Sequence, residues 1–373
     1  MPLKYNYGGI LQAFALQTVL EKMGNEVFVV RKYNYLQEKT FWNSPLLITV
    51  RFVKKVIKQI IGQKSIVFYE KEANNEFRYL TQNTWPFVEN YIKSIYTKDW
   101  FLVPERTFDC LVVGSDQVWR KEFIENYGVP ISRLFLDFAK TWNVIRVSYA
   151  ASFGIDSWDY SKEETYICKD LVSKFDAVSV REESGVSLCK KYLDVDSQCV
   201  LDPTMLLKSS DYINLIKKTQ IKTIDENSIV SYLLDPSEEK DMVYSYIADY
   251  YQSPKYMLIG NPWSINNISE RRLPAIEQWL NAFWKSKFVF TDSFHGTVFS
   301  IIFNRPFVVF RNSYRGNARI ESLLHLFGLE NRLVNSVGEC DKILSAPITW
   351  DEVNSKLEKM RKMSMLFLSK NIS

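Results

Sequence analysis

The chain has 373 residues, of which 46% are hydrophobic and 24% charged, a composition typical of a globular protein with room for two domains. Its net charge of +4 comes from 47 basic and 43 acidic residues, a balance too even to indicate a nucleic-acid partner. The 5 cysteines form no CxxC pair, which favours reduced thiols in a cytoplasmic protein over disulfides or zinc, so we expect no metal.

The first predicted element is a helix over residues 10–23, after the turn Asn6-Tyr7-Gly8-Gly9. Its glycines leave backbone N–H groups open to an anion or a sugar hydroxyl, and Asn6 can cap the helix. In a doubly wound domain such a turn normally follows a first strand. We expect that strand to be very short or to lie outside the sequence. We find no signal peptide and no apolar run that could cross a bilayer, so we expect a soluble or peripheral protein.

Apolar runs alternating with helical stretches dominate the first half of the chain. The pattern predicts strands over 26–30, 108–113, 145–150, 177–180 and 199–201, and helices over 161–174 and 183–192. Such continuous apolar strands between helices are typical of parallel sheets covered on both faces.

Residues 40–100 break this alternation, and we interpret them as a helical insertion. Within it, residues 51–64 predict a basic amphipathic helix. This helix either lies on an anionic membrane surface or packs on the protein with its lysines in solvent.

The alternation stops at Asp202-Pro203-Thr204 and restarts after a polar stretch. We predict strands over 228–234, 256–260, 287–291 and 306–310, with helices over 237–251, 274–285 and 295–303. The sequence therefore predicts two α/β domains, residues 1–205 and 206–348. The last segment, 349–373, holds an amphipathic helix that we expect to pack back on the first domain.

Polar side chains follow several of the predicted strands, at the sheet edge where α/β proteins bind ligands. Ser115, Asp116, Gln117 and Trp119 follow one strand, and Arg181 follows another. The first group suits sugar hydroxyls, with Asp116 as a base, or else caps a helix. Arg181 can grip a phosphate or carboxylate, or pair with a neighbouring glutamate.

Only two histidines are present. His295 stands at the predicted start of a helix, after a strand, whereas His325 lies in an apolar stretch and is expected to be a core residue. A helix N-terminus disfavours imidazolium until an anion binds nearby. The alternative is that Ser293 caps the helix and His295 is a bystander. A loop over 311–319 carries three arginines, which either bind an anion or are solvated.

Taken in order, these segments resemble the polysaccharide pyruvyl transferase family over about residues 5–335. The resemblance rests on the motifs Asn6-Tyr7-Gly8-Gly9-Ile10-Leu11-Gln12-Ala13, Val113-Gly114-Ser115-Asp116-Gln117-Val118-Trp119, Phe135-Leu136-Asp137-Phe138, Ser148-Tyr149-Ala150-Ala151-Ser152-Phe153-Gly154, Ser179-Val180-Arg181-Glu182, Leu201-Asp202-Pro203-Thr204, Thr291-Asp292-Ser293-Phe294-His295-Gly296 and Arg319-Ile320-Glu321-Ser322-Leu323-Leu324.

The resemblance implies two Rossmann-like domains arranged as in GT-B glycosyltransferases, with the active site in the cleft between an acceptor-side first domain and a donor-side second domain. It implies transfer of pyruvate from phosphoenolpyruvate to a sugar hydroxyl pair as a cyclic ketal, in capsular or exopolysaccharide biosynthesis. No cofactor is implied beyond this co-substrate. The acceptor is a sugar or a lipid-linked oligosaccharide, the latter at the inner face of the cytoplasmic membrane.

The resemblance implicates His295 and Arg181 in catalysis and donor binding, and we add Asp116 as the group that orients or deprotonates the acceptor. The predicted substrate-binding residues are Asn6, Gly8, Gly9, Ser115, Gln117, Trp119, Ser293, Phe294, Gly296 and Arg319. Two other functions fit the same fold, because a fold does not fix a reaction. They are a nucleotide-sugar glycosyltransferase of GT-B type and a non-catalytic glycan-binding protein.

Overall fold

The computed structural model describes residues 3, 5–32, 49, 52–53, 69–126, 128–312 and 315–372. The predicted basic helix over 51–64 therefore lies outside the described residues, apart from Phe52 and Val53. Within the described ranges, no helix combines the length and the apolar character that a membrane crossing needs.

Helices and strands alternate along most of the described chain. The first half contains α1 (Tyr7–Lys22), β1 (Val29–Lys32), α2 (Tyr69–Thr81), α3 (Trp85–Tyr91), β2 (Ser94–Thr97), β3 (Cys110–Val113), α4 (Lys121–Glu125), β4 (Ile145–Ala151), α5 (Lys162–Val172), β5 (Ala177–Val180), α6 (Glu183–Leu188) and β6 (Gln198–Cys199). The second half contains α7 (Ser209–Lys217), β7 (Ile229–Leu233), α8 (Glu238–Tyr250), β8 (Lys255–Ile259), α9 (Ile276–Lys285), β9 (Phe288–Thr291), α10 (Phe294–Ile302), β10 (Phe307–Phe310), α11 (Ala318–Phe327), β11 (Leu333–Val334), α12 (Cys340–Ser345) and α13 (Trp350–Asn371).

The strands form parallel sheets, which confirms the predicted α/β class. Strands from the first half build a four-stranded sheet, β3-β4-β5-β6, and a separate pair, β1-β2. Those of the second half build a five-stranded sheet, β11-β10-β9-β7-β8. The inner strands carry consecutive buried residues, as in β7 and β9, because helices cover both faces of a parallel sheet.

The start of the chain differs from the prediction in two ways. Helix α1 begins at Tyr7, three residues early, because Asn6 caps it by accepting a hydrogen bond from the Gly9 N–H at 3.2 Å. Strand β1 pairs with β2, an unpredicted strand at the end of the helical insertion. Residues of both β1 and β3 line a cavity of about 700 Å³.

Helices α1 and α13 connect the two halves of the molecule. The Tyr7 ring stacks on Trp279 of α9 at 5.2 Å, and its hydroxyl donates to the Pro274 carbonyl. Helix α13 packs beside the segment that follows β6, where the Leu201 N–H donates to Ser364 and Arg361 donates to the Met205 carbonyl. These contacts make one apolar core that runs between the two sheets.

Loops at the carboxyl ends of the two sheets meet each other. The guanidinium of Arg120, after β3, donates to the carbonyl of Arg315, after β10. Gly316 packs so tightly on the Gly154 carbonyl, in the loop after β4, that an added Cβ would lie 2.2 Å from its oxygen. The ligand-binding edges of both sheets therefore face a common space.

Candidate active site

The loop after β3 holds Asp116 in a strained backbone conformation. Its φ is +70°, in the left-handed region, and its carbonyl accepts hydrogen bonds from the Val118 and Ser152 N–H groups. The carboxylate is only 6% exposed and accepts the Gln117 N–H at 2.9 Å. Strain of this kind costs about 1–3 kcal/mol and persists where surrounding structure fixes it, often at functional sites.

Asp202, after β6, is the most heavily bonded carboxylate of the cluster. Its Oδ1 accepts from the backbone N–H and the hydroxyl of Thr204, at 3.0 and 2.6 Å. Its Oδ2 accepts from Gln12 Nε2 at 2.6 Å and from Arg181 Nη1 at 2.9 Å. The carboxylate therefore ties α1, the end of β5 and its own loop together.

Arg181 lies between the two carboxylates rather than beside the neighbouring glutamates. Besides its bond to Asp202, its Nη2 is 3.6 Å from Asp116 Oδ1. The guanidinium also lies 4.3 Å from the centre of the Phe294 ring, a cation–π contact. Glu182 points elsewhere and accepts from Ser152, Phe153 and Gly154, which fixes the loop after β4.

His295 enters the cluster from the second sheet, in the first turn of α10. Ser293 caps this helix by accepting the Gly296 N–H at 3.4 Å, so the predicted cap is present. His295 also belongs to the cluster, since its Nε2 lies 3.7 Å from Asp202 Oδ2. Its ring packs directly on Gly8, where a Cβ would lie 2.0 Å from Nδ1. Only glycine at position 8 allows this approach.

Arg319, in α11, completes the group from the second sheet. Its Nη1 is 3.5 Å from Asp116 Oδ1, and its guanidinium lies 5.6 Å from the Phe294 ring. Phe294 thus lies against both arginines. Two acidic and two basic side chains, all 7% exposed or less, surround a single imidazole here.

Burial and the neighbouring charges shift the pKa values of this group in opposite directions. Burial raises the pKa of Asp116 and of Asp202, but Arg181 and His295, with Arg319 acting on Asp116, lower both below the usual value. Burial lowers the pKa of His295 to about 4, and the arginines add to that effect while the two aspartates oppose it. Burial and Arg181 lower the pKa of Arg319 to about 10. At neutral pH the imidazole is therefore neutral and both arginines are charged.

Several buried nitrogens of the cluster have no hydrogen-bond partner among the described residues. They are the guanidinium donors Arg181 Nε, Arg181 Nη2 and Arg319 Nε, together with the ring nitrogen His295 Nε2. A buried donor without an acceptor costs about 1–3 kcal/mol, so such groups need an explanation. An anion bound beside the guanidinium donors would satisfy them. A cavity of about 240 Å³ lies on another side of the cluster, where it is lined by Arg181, Asp202, Phe294 and His325 but not by His295 or Arg319.

The structure brings together most of the predicted site residues. Asn6, Gly8, Asp116, Arg181, Phe294, His295 and Arg319 lie in the cluster, with Asn6 Nδ2 3.5 Å from Asp116 Oδ2. Gly9, Ser293 and Gly296 form the helix caps beneath it.

Three predicted residues turn away from the cluster. Trp119 is fully buried in the core of the first sheet, stacked on Phe135 at 4.8 Å. Gln117 accepts from Arg120, and the Ser115 hydroxyl donates to the Tyr149 carbonyl. In these positions the three side chains contribute to packing and loop geometry.

The prediction that His325 is a core residue is wrong. Its side chain is 81% exposed and pairs with Glu330 at 2.7 Å. The apolar residues around it in sequence face the core, and His325 occupies the opposite face of α11. In the loop over 311–319, Arg311 pairs with Glu321 and Arg315 with Asp235. Arg319 alone of these three arginines reaches the cluster.

Asp202 and Gln12 were not predicted as site residues. Both lie in motifs of the family resemblance, Gln12 in the glycine turn segment and Asp202 before Pro203. The position of Asp202 after a strand, which it shares with Asp116 and Arg181, could have marked it as a candidate site residue.

Three comparisons relate the chain to known proteins. A family model described as polysaccharide pyruvyl transferase matches residues 6–314. No curated protein sequence matches the chain. Among solved structures, it is similar to a UDP-glucosyltransferase from Polygonum tinctorium in complex with 3,4-dichloroaniline, with 10% identity and a TM-score of 0.42 over 77% of this chain and 87% of the other.

Proposed function

We propose that this chain, which belongs to the polysaccharide pyruvyl transferase family, moves the pyruvyl group of phosphoenolpyruvate onto two hydroxyls of a sugar as a cyclic ketal. One observation carries the proposal beyond the family. The buried, unpartnered guanidinium donors of Arg181 and Arg319 stand in one cluster with His295. They suit a small, multiply charged anion, and phosphoenolpyruvate carries both a carboxylate and a phosphate.

The two arginines are the donor-binding groups of this proposal. Arg181 is fixed by Asp202 through Nη1, which leaves Nε and Nη2 for an anion. Bonds between a guanidinium and a carboxylate or phosphate are short and about twice as strong as neutral ones. Burial and the charge of Arg181 lower the pKa of Arg319, and the negative charge of a bound anion would oppose both effects.

The reaction needs one proton donor and moves two hydroxyl protons. A proton goes to the methylene carbon of the donor, and the first sugar hydroxyl adds to the electron-poor C2. The C2–O bond to phosphate breaks, and the second hydroxyl closes the ring at the same carbon. Of the two hydroxyl protons, one replaces the proton spent on the methylene and the other leaves with phosphate. No redox or nucleotide cofactor takes part.

His295 is the proposed acid and base. In the free protein it is neutral at pH 7, because burial lowers its pKa to about 4. An anionic donor beside it favours the charged form, as an opposite charge within about 4–6 Å does. Binding of phosphoenolpyruvate would therefore favour protonation of His295, which then supplies the proton that the methylene carbon requires. Asp116 remains ionised beside the arginines and is the proposed group that orients the acceptor hydroxyl.

The variant His295→Ala tests this assignment. We expect it to lose ketal formation, since a general acid contributes about 10²–10⁴-fold, while its melting temperature stays near that of the wild type. His325→Ala is the matched control, because that side chain is exposed and pairs only at the surface. Turnover of His295→Ala at the rate of the control would refute the assignment.

We further propose that the acceptor is a sugar of a capsular or exopolysaccharide precursor, carried on a lipid at the inner face of the cytoplasmic membrane. The basic, apolar composition of residues 51–64 supports this. Replacing Lys54, Lys55 and Lys58 with Gln should weaken binding to anionic liposomes and leave transfer to a soluble sugar unchanged. Unchanged liposome binding would contradict the membrane contact.

A further inference from the structure

We infer that Asp202 is the positioning residue of His295: it holds the Nε2–H tautomer of the imidazole and leaves Nδ1 as the nitrogen that exchanges the proton with the donor. This inference rests on the proposed function for its catalytic meaning. Its structural content, the tautomer, is a property of the free protein.

Hydrogen bonds hold the Asp202 carboxylate in one position. Its carboxylate is 2% exposed, and both oxygens are held by neutral or cationic donors from separate elements. Thr204 holds Oδ1 through two bonds, and Gln12 and Arg181 hold Oδ2. A carboxylate fixed in this way cannot turn to follow the imidazole, so the imidazole must adapt to it.

The charge of Asp202 selects the tautomer. Burial raises its pKa, but the charge of Arg181 and the two hydrogen bonds from Thr204 act in the opposite direction and the pKa stays below the usual value. Asp202 is therefore ionised and can only accept hydrogen bonds. The Nε2 atom of the imidazole lies 3.7 Å from Oδ2 of this carboxylate. A lone pair on Nε2 would face this oxygen and be repelled, whereas an N–H is attracted. A neutral imidazole has a single N–H, so Nδ1 keeps its lone pair.

The charged groups around the ring agree with this orientation. Asp116 is the second anion that acts on His295, and Arg181 and Arg319 are the cations that oppose its protonation. The uncharged Phe294 ring packs edge-on against the imidazole. Of the two carboxylates, Asp202 is the one with an oxygen within 4 Å of a ring nitrogen, namely Nε2. It therefore decides which nitrogen carries the proton.

Gly8 packs against the other nitrogen, Nδ1, and allows the ring to approach this closely. The Cβ of any larger residue at this position would lie 2.0 Å from Nδ1 but 2.4 Å from Cε1 and 2.5 Å from Cγ. A side chain here would thus cover Nδ1 first. Glycine and the fixed Asp202 act together, since glycine adds no side chain over Nδ1 and Asp202 keeps the lone pair of Nδ1 free. This arrangement is that of a base oriented through its second nitrogen.

The test is a two-bond ¹H–¹⁵N correlation spectrum of the free protein with ¹⁵N-labelled histidine at pH 7. Only two imidazoles contribute, and His325→Gln removes one of them. We expect His295 to show the pattern of a neutral ring protonated at Nε2. A ring protonated at Nδ1 would overturn the inference. The sample contains neither phosphoenolpyruvate nor a sugar, so this result is independent of whether the protein transfers pyruvate.

A second measurement uses Asp202→Asn with Asp211→Asn as its control. Asp211 pairs with Lys22 on the surface, far from His295 in the chain. We expect the Nδ1–H form to become populated in Asp202→Asn and to stay absent in the control. An unchanged pure Nε2–H pattern in a folded Asp202→Asn would show that another group sets the tautomer. If Asp202→Asn does not fold, the wild-type spectrum decides alone.

Discussion

The packing of His295 on Gly8 gives the sharpest prediction about the site. An alanine Cβ at position 8 would lie 2.0 Å from Nδ1, and ordinary van der Waals contact begins at 3.4 Å. The ring or the helix must therefore retreat by about 1.4 Å, a displacement of the size that costs on the order of 10²-fold in rate. The buried surroundings of His295 leave the ring little space to retreat.

Gly9→Ala is the matched control for Gly8→Ala. Both glycines lie in the first turn of α1, where alanine favours the helix over glycine by up to about 1 kcal/mol. At Gly9, however, an added Cβ meets only the Asn6 side chain, at 3.4 Å. We expect Gly9→Ala to keep its activity and its stability. Gly8→Ala should lose about 1–3 kcal/mol of unfolding free energy through overpacking.

The assay measures phosphate released from phosphoenolpyruvate in the presence of acceptor, together with urea denaturation of each variant. We expect kcat to fall by about 10²-fold in Gly8→Ala and to change little in Gly9→Ala. Equal turnover of the two variants would refute the claim that the contact between Gly8 and His295 positions the reacting group.

The other predictions concern pH, charge and the contact between the two halves. Because the pKa of folded His295 is about 4, below the usual 6.5, its contribution to stability is present above pH 6.5 and should fall as pH drops toward 4. This contribution amounts to at most about 3 kcal/mol. The free energy of unfolding of His295→Gln, measured by urea titration, should therefore decrease less between pH 6.5 and pH 4 than that of the wild type. Arg181→Met should destabilise the protein by about 3–5 kcal/mol, since it leaves Asp202 buried without its cation. In a thermal-shift assay, phosphoenolpyruvate should no longer raise the melting temperature of this variant. A retained rise would contradict the role of Arg181 in donor binding. Gly316→Ala should lower the melting temperature more than Gly128→Ala. Both glycines have a positive φ, but Gly316 contacts the Gly154 carbonyl whereas Gly128 has open space around it. Equal shifts in melting temperature would contradict a tight contact between Gly316 and Gly154.

Local pattern was enough to predict the class of fold and the approximate position of most strands in the two main sheets. The predicted strand over 177–180 matches β5, and the strand over 287–291 differs from β9 by one residue. Buried parallel strands are continuous apolar runs, so their signal does not depend on distant partners. Strand β2 gave no such signal, because it is short and only partly buried.

The site was harder to predict, since its geometry depends on contacts between distant segments. His295 and Asp116 stand at strand ends, and that position alone marked them as candidates. The role of Asp202 depends on Gln12, 190 residues away in the chain, and on Arg181. Trp119 follows a strand as Asp116 does, yet its ring turns into the core. Sequence position fixes the edge of the sheet but not the direction of each side chain.

The proposed reaction is tested most directly by mass spectrometry of sugars incubated with the protein and phosphoenolpyruvate. The acceptors would be methyl glycosides of galactose, glucose and mannose, whose neighbouring hydroxyl pairs can close a cyclic ketal, and a lipid-linked oligosaccharide extract. We predict a product that gains one pyruvyl group per phosphate released, and no product with His295→Ala. Acceptors that stay unchanged with phosphoenolpyruvate but gain a glycosyl group from a UDP sugar would contradict the account.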